Sequence, residues 1–213
     1  MKRATLFQIP REGWLVLIPL IGLLLVLAAA FGWRAALPAG VLVMLAVLFF
    51  HDRPRYISAE PLAVIAPVDG VVQHRREGYD PFLDREAIKI SIRVRLLGAY
   101  YLRSPVEGTL KELDGKAELL PAAPASWIRT DEGDDVALVV SAGSLLGARP
   151  CLGSYGVRVG QGRSCGIRRL ARVMDVYLPM HSRVTVDLGQ QVRAGVTTLA
   201  KVVHKQQPEE AGK

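Results

Sequence analysis

The chain of 213 residues has only two cysteines and four histidines, and aromatic residues make up 7% of it. Cys151 and Cys165 are accompanied by no cluster of histidines, so no metal site is predicted. The basic residues do not alternate with aromatic ones and no nucleic-acid-binding motif occurs, so the net charge of +7 is not assigned to nucleic acid. In a domain that faces the cytoplasm, both thiols are expected to stay reduced.

Two long stretches near the N-terminus lack charge. Residues 13–33 contain no ionisable side chain, and residues 35–50 are again uncharged after Arg34. A membrane-spanning helix needs about 20 apolar residues, with a lower limit near 17, so the first stretch is long enough and the second is marginal. Because so little chain separates them, the two stretches predict a helical hairpin in a membrane. A cleaved signal peptide is the alternative for the first stretch.

Basic residues flank both open ends of this hairpin. Lys2, Arg3 and Arg11 precede the first stretch, and Arg53 and Arg55 follow the second. The positive-inside rule therefore places both ends in the cytoplasm. We expect a protein of the bacterial inner membrane whose remaining domain faces the cytoplasm. Membrane phospholipid with an anionic headgroup is the partner that the excess of basic charge predicts.

After the hairpin the pattern changes to short apolar runs separated by glycine, proline and aspartate. Residues 88–94 alternate between apolar and polar, which predicts a half-buried strand, and residues 136–140 predict a continuous apolar strand. No long amphipathic helix is visible after residue 60. The sequence thus predicts a mainly β fold, with a compact β domain similar to barrel-sandwich hybrids on a two-helix anchor. The expected segments are a cytoplasmic N-terminus (1–12), a transmembrane hairpin (13–50), a linker (51–62), the β domain (63–204) and a charged, flexible tail (205–213).

One turn sequence occurs twice in the predicted β domain. Residues 66–72 read A-P-V-D-G-V-V, and residues 104–110 read S-P-V-E-G-T-L. Proline fixes the backbone at the entry to such a turn, and glycine permits the conformation that follows. Near the end, residues 189–195 have the form G-x-x-V-x-x-G before a further strand. Elements of this kind recur in barrel-sandwich hybrids, the fold of biotinyl and lipoyl carriers and of membrane-fusion proteins.

Four motifs, in order and with their spacing kept, resemble the short, membrane-bound phosphatidylserine decarboxylases. Residues 49–55 (F-F-H-D-R-P-R) are similar to the family's F-F-R-D-P-x-R, and residues 66–70 match its S-P-A-D-G. Residues 91–108 align without a gap with S-I-F-M-S-P-x-D-V-H-V-N-R-A-P-V-D-G. Residues 162–179 align in the same way with G-x-x-x-G-x-I-R-F-G-S-R-V-D-V-Y-L-P. The resemblance extends over nearly the whole chain.

The departures from these patterns fall on the family's chemistry. In the family the Gly-Ser bond cleaves itself and the serine becomes a pyruvoyl group, but Ala171 and Arg172 stand at those positions here. The family's Asp-Val-His is replaced by Gly98, Ala99 and Tyr100, and a tyrosine with a pKa near 10 is a poor base at neutral pH. The resemblance therefore implies that no pyruvoyl cofactor forms and favours a protein that is not an enzyme.

Two family positions whose side chains could take part in catalysis or binding are retained. Asp69 matches the catalytic aspartate, although Asp-Gly is also ordinary turn chemistry. Arg103 matches a family arginine and could either meet a phosphate or lie in solvent. If Asp69, Tyr100 and Arg172 converge, we expect Arg172 to pair with the Asp69 carboxylate, since a buried carboxylate needs a cation. Arg103 and Arg172 are the candidates for binding a lipid phosphate.

Three functions are considered, two from the resemblance and a third from the barrel-sandwich pattern. The first is a degenerate phosphatidylserine decarboxylase homologue of phospholipid metabolism that does not process itself. It would bind an anionic phospholipid, or join an active decarboxylase or another lipid enzyme, as a homo- or hetero-oligomer. The second is an active decarboxylase whose processing site has moved to Ser164 or Cys165, which could undergo an acyl shift. The third is a membrane-anchored barrel-sandwich adaptor placed outside the membrane, although such proteins usually carry one span and a coiled coil.

Overall fold

The computed structural model describes residues 11–50, 55–57, 60–113, 124–143, 150–151 and 154–203. The expected flexible tail at 205–213 lies outside these residues. Two helices come first, α1 (Arg11–Phe31) and α2 (Trp33–Phe50), and they lie against each other. Both are long and apolar enough to cross a membrane. Most of their large apolar side chains are exposed, which suits contact with lipid and suggests membrane association.

Strands make up the regular structure of the described chain after α2, as the sequence predicted. They form three antiparallel sheets, with the strand orders β1-β13-β11, β12-β2-β3-β10-β7-β6-β5-β8 and β4-β9. The expectation of a mainly β fold with two N-terminal apolar helices is confirmed. The strands are β1 (Ala63–Ile65), β2 (Gly70–Asp80), β3 (Arg85–Val94), β4 (Tyr101–Arg103), β5 (Gly108–Lys111), β6 (Ala125–Arg129), β7 (Asp135–Ala142), β8 (Arg158–Val159), β9 (Ser164–Ile167), β10 (Val173–Leu178), β11 (Ser182–Val184), β12 (Gln191–Val192) and β13 (Thr198–Val202).

The large sheet consists of two matching halves. Outward from the central pair of β10 and β7, the strands β3, β2 and β12 on one side correspond to β6, β5 and β8 on the other. The small sheets extend this correspondence, because β1 pairs with β13 as β4 pairs with β9. The fold therefore has an approximate internal twofold arrangement, although the strands themselves show little sequence similarity.

The repeated turn sequence lies where the two halves exchange hydrogen bonds. The Ile65 amide donates to the Pro105 carbonyl at 2.9 Å, and the Arg103 amide donates to the Pro67 carbonyl at the same distance. The proline carbonyl in the turn of each half thus accepts a hydrogen bond from the strand that precedes the turn of the other half. The repeat in the sequence marks a reciprocal contact in the fold.

The glycine of each repeated turn is required by a close approach of the backbone. A Cβ atom added to Gly70 would lie 2.2 Å from the Arg93 carbonyl oxygen. A Cβ atom added to Gly108 would lie at the same distance from the Arg129 carbonyl oxygen. Neither position has space for a side chain, so both halves keep glycine where β2 and β5 begin.

The main apolar core is built from the alternating faces of the central strands. Ile90 and Ile92 of β3 are fully buried and lie opposite Val176 and Met174 of β10. Leu138 of β7 follows on the far side of β10. This arrangement confirms the strand predicted from the alternation in residues 88–94. The candidate site is formed where β3 ends and β10 begins, at the edge of this buried centre.

Candidate functional site

The turn that carries the retained Asp69 meets the two segments that depart from the family pattern, and all three lie beside the anchor. The Asp69 carboxylate, in the turn before β2, accepts a hydrogen bond from the Ala99 amide at 2.7 Å. The Arg168 amide, after β9, donates to the Tyr100 carbonyl at 3.2 Å. The turn before β2, the loop between β3 and β4 and the segment between β9 and β10 therefore form one site.

The Asp69 carboxylate is the centre of this site. Both of its oxygens pair with the Arg55 guanidinium, with Nη2 to Oδ2 at 2.6 Å, and the Ala194 amide adds a bond at 2.8 Å. Burial raises the pKa of Asp69, but the bonds from Arg55 and from the Ala99 and Ala194 amides outweigh it and hold that pKa below its ordinary value. Asp69 is therefore an anion that fastens the segment after α2 to the β domain.

The predicted pair between Asp69 and Arg172 is wrong. The cation beside Asp69 is Arg55, whereas the Arg172 side chain is exposed. The backbone of Arg172 is fixed instead: its amide donates to the Ala142 carbonyl and its carbonyl accepts from the Val94 amide, both at 2.8 Å. Arg172 thus enters the sheet just before β10 and directs its guanidinium to solvent. Spacing along the chain does not indicate that Arg55, and not Arg172, pairs with Asp69.

The two small residues at departure positions are packed tightly. Ala171 is buried, and its amide donates to the Arg168 carbonyl at 2.9 Å. A Cβ atom at Gly98 would lie 2.7 Å from the Cβ of Asp69. Where the family pattern has a second aspartate, this chain therefore leaves room only for glycine while Asp69 keeps its present place.

Tyr100 joins the site to both helices. Its ring lies 5.0 Å from the ring of Phe50 and 5.7 Å from that of Phe49, measured between centroids, and its hydroxyl donates to Glu12 Oε2 at 3.1 Å. Burial, followed by the charge and hydrogen bond of Glu12, raises the pKa of Tyr100 far above its ordinary value. The phenol stays protonated at neutral pH and cannot act as a general base.

Glu12, in the first turn of α1, also binds an arginine of the site. Arg169 Nη2 donates to Glu12 Oε1 at 2.7 Å, and Arg169 Nε donates to Oε2 at 3.3 Å. The two side chains remain about one-third exposed, at 27% and 36%. Both helices of the anchor therefore contact the segments that depart from the family pattern.

Arg168 is a site residue that the sequence analysis missed. It is 1% exposed, and its guanidinium donates from Nε to the Ala99 carbonyl at 2.8 Å and from Nη2 to the Leu96 and Gly98 carbonyls at 2.5 and 3.3 Å. The guanidinium carbon lies 5.2 Å from the ring centroid of Phe49, within range of a cation–π contact. Its signal was available: in the ungapped alignment, this arginine stands where the family pattern has isoleucine.

Arg103 does not lie in solvent, which excludes one of its two predicted environments. The residue is 8% exposed, and Nη1 donates to the Gly162 carbonyl at 3.4 Å. Its stem packs against Gly195, since a Cβ there would lie 3.6 Å from Arg103 Cδ. Arg103 is therefore a buried contact between the two halves of the domain.

Both alternative nucleophiles, Ser164 and Cys165, lie in β9. Cys165 forms a disulfide with Cys151, so the expectation of reduced thiols is wrong and Cys165 has no thiol to offer in this state. Ser164 is exposed and lies in β9, paired with Arg103 of β4. Neither residue is at the Ala171–Arg172 bond, where the family pattern places scission.

A cleft of about 1010 Å³ opens beside Asp69 at the end of α2. One part of its wall is basic and another part is apolar, so the cleft is amphipathic. Arg95 is partly fixed by a bond from Nη2 to Gln191 Oε1 at 3.3 Å. The basic wall consists of Arg55, Arg95 and Arg193, and the apolar wall consists of Leu48, Leu97 and Val196.

The matching position in the other half of the domain holds a smaller cleft of about 320 Å³ with the opposite charge. It lies beside Glu107, the counterpart of Asp69 in the repeated turn. Its acidic lining residues are Glu60, Glu107, Asp131, Glu132 and Asp134, with Arg158 as its basic residue.

Comparison with known proteins relates the chain to one family. No family model matches the chain. A solved structure, glucose permease IIA from Mycoplasma capricolum, is 18% identical with a TM-score of 0.44, covering 70% of this chain and 100% of that one. The phosphatidylserine decarboxylase proenzyme of Nitrosomonas europaea is 34% identical over 204 residues, which cover 91% of this chain and 94% of that protein. The proenzymes of Nitrosomonas eutropha (36% over 204 residues, 91% and 94%) and Aromatoleum aromaticum (34% over 206 residues, 90% and 94%) are similar to the same extent. Because these relatives exceed 30% identity over about nine-tenths of each chain, the chain belongs to the phosphatidylserine decarboxylase family.

Proposed function

We propose that this chain is a member of the family that does not process itself and that binds anionic phospholipid in the basic cleft beside its anchor. Family membership relates it to phospholipid metabolism. The observation that carries the proposal is Arg172 at the scission position. A guanidinium cannot attack the preceding carbonyl as a serine hydroxyl does, and the peptide is held in sheet hydrogen bonds on both sides.

The other groups that self-cleavage needs are committed to structural contacts. Tyr100, at the position of the family's histidine, is a protonated phenol bound to Glu12. Asp69 is saturated by Arg55 and two backbone amides, so its carboxylate is not available to orient a base. A base oriented by a carboxylate is the arrangement that activates a hydroxyl nucleophile, and both parts have been diverted here.

The composition of the cleft supports binding of a phospholipid headgroup. Guanidinium groups bind phosphate through paired hydrogen bonds, and Arg95 and Arg193 line one wall, where Arg55 is already paired with Asp69. Leu97 and Val196 line another part and would meet the apolar portion of the lipid. The volume of about 1010 Å³ lies at the upper end of ordinary ligand pockets, which extend to about 1,000 Å³.

The orientation that we propose places the β domain on the cytoplasmic side of the bacterial inner membrane. The basic residues at both ends of the helical hairpin support it. The disulfide between Cys151 and Cys165 favours the opposite side, because disulfides persist mainly in oxidising compartments. A reporter enzyme fused after Lys213 decides between them: activity only in the periplasm would overturn the cytoplasmic orientation.

Intact mass spectrometry of the purified chain tests the absence of self-processing. We expect one uncleaved chain. Two fragments, the smaller one beginning with a pyruvoyl-blocked residue and ending at Lys213, would overturn the proposal and support the alternative of an active decarboxylase processed at Ser164 or Cys165.

Binding of a short-chain lipid tests the second part of the proposal. The full chain in neutral detergent is titrated with dihexanoyl phosphatidylserine and, as a control, with dihexanoyl phosphatidylcholine. We expect saturable binding of the anionic lipid that weakens as salt is raised. Equal affinity for the two lipids would contradict a headgroup site built from arginines.

A further inference from the structure

The loop between β3 and β4 exposes two leucines on a backbone that is held firmly. Leu96 and Leu97 are 61% and 62% exposed, although the next residue, Gly98, is buried. The buried Arg168 guanidinium binds the carbonyls of Leu96 and Gly98 at 2.5 and 3.3 Å. The leucines are therefore presented outward by a fixed loop and are not exposed through lack of structure.

This loop lies at the level where the apolar anchor ends. Leu97 lines the basic cleft together with Leu48, which is in the last turn of α2 (Trp33–Phe50). Phe49, the next helix residue, packs against the same Arg168 guanidinium that fixes the loop. If α2 crosses the membrane to its last turn, Leu97 stands at the same depth as the end of that span.

Basic side chains stand beside the exposed leucines. Arg95, directly before Leu96, and Arg193, on the neighbouring wall of the cleft, are both exposed. Apolar side chains that enter the boundary of the acyl chains, with arginines at the level of the phosphates, are the arrangement of proteins that lie on anionic membranes.

We infer that residues 95–98 form a membrane-inserting loop. Leu96 and Leu97 enter the bilayer beside α2, while Arg95 and Arg193 remain among the lipid headgroups. The basic cleft then opens sideways into the headgroup layer, and a phospholipid enters it without leaving the membrane. The inference rests on the proposed function for the ligand of the cleft, but the insertion of the loop stands or falls on its depth alone.

Spin labels on the full chain measure that depth. The two native cysteines are joined in the disulfide, so Leu97→Cys adds the thiol that a nitroxide reagent labels. Tyr155→Cys is the matched control, because Tyr155 is 63% exposed and precedes β8 at the opposite edge of the large sheet from β12. The labelled chains are reconstituted in vesicles of phosphatidylglycerol and phosphatidylethanolamine, and collisions with oxygen and with a water-soluble nickel chelate are compared.

We expect the label at position 97 to collide often with oxygen and rarely with nickel, and the label at 155 to do the reverse. A label at 97 as open to nickel as the label at 155 would overturn the inference. Leu96→Cys is the second reporter if the first variant fails to fold, and the same outcomes apply to it.

The lipid titration separates this result from the proposed function. A buried label in a chain that does not bind dihexanoyl phosphatidylserine supports the inserted loop and overturns the cleft as a headgroup site. Binding of that lipid by a chain whose label remains in water overturns the inserted loop and supports the cleft.

Discussion

Asp69 and Glu107 occupy matching positions in the two repeated turns, but their surroundings differ. Asp69 is buried and bound by Arg55 and two backbone amides. Glu107 is exposed and meets Arg158 at 3.0 Å, with both side chains more than half exposed. The same turn therefore supports a fixed ion pair in one half and a solvated one in the other. The difference comes from the segment after α2, which brings Arg55 to one of the two turns.

The clefts beside the two turns extend this contrast. Arginines line the larger cleft next to the anchor. Five carboxylate side chains, among them Glu60, Glu107 and Asp134, line the smaller one. The two halves have matching orders of strands. Function in this fold therefore depends on side chains placed on a common scaffold, and it has to be argued from them.

The largest effect is expected where the two halves are most alike. Gly70→Ala and Gly108→Ala each force a Cβ against a backbone oxygen 2.2 Å away, so each should lose more than about 3 kcal/mol of unfolding free energy or fail to fold. Gly78→Ala is the control, since nothing lies within 4 Å of its added Cβ. Denaturant unfolding of the three variants measures this. Equal stability of Gly70→Ala and Gly78→Ala would show that the close approach is absent.

The second effect separates the two turns. Asp69→Asn leaves a mostly buried Arg55 without its anion, and we expect a loss of about 3 kcal/mol. Glu107→Gln removes an exposed pair and should change stability by less than about 0.5 kcal/mol. Both values come from the same unfolding measurement. Similar losses for the two variants would contradict the difference in environment.

Acid titration sharpens the role of Asp69. Its pKa is lowered in the folded chain, so its contribution is complete above its ordinary pKa, near 4, and is lost as the pH falls through the lower folded value. The stability difference between the native chain and Asp69→Asn should be constant from pH 5 to 7 and shrink below about pH 4. Asp80 is a control with the opposite pH dependence. Burial raises its pKa, so its contribution to stability becomes more favourable on acidification. A difference that grows on acidification for Asp69 would reject the ion pair.

The smallest effect concerns the two clefts. Arg193→Gln should weaken binding of dihexanoyl phosphatidylserine about fivefold, which corresponds to about 1 kcal/mol for one basic residue at an anionic lipid. Arg158→Gln removes an arginine from the acidic cleft and should leave that affinity unchanged. Titration in detergent at low salt compares the two. A larger loss of affinity for Arg158→Gln would show that the lipid does not bind in the basic cleft.

The fold class could be predicted because periodicity reports burial. The alternation in residues 88–94 and the charge-free runs before residue 51 each follow from which face meets the core or lipid. The repeated turn was visible as well. The matching halves of the large sheet were not, because outside the turns the corresponding strands share a pattern of burial and not a sequence.

The site was harder to predict, since its contacts join distant segments. The positions of Asp69, Tyr100 and Arg172 came from the family pattern, but pattern alone gave Asp69 the wrong cation. Arg168 was missed because arginine is seldom buried, so residue type argued against it. The disulfide could not be predicted, because the sequence does not give the distance between Cys151 and Cys165 and a cytoplasmic domain favours reduced thiols.

Tyr100 contacts Glu12 of α1 and Phe49 and Phe50 of α2, so one residue of the β domain binds both helices of the anchor. Helices tilt when the hydrocarbon layer is thinner than their apolar length. Any such tilt would be passed directly to the mouth of the basic cleft. Bilayer thickness, and not only lipid charge, would then govern how this protein meets its ligand.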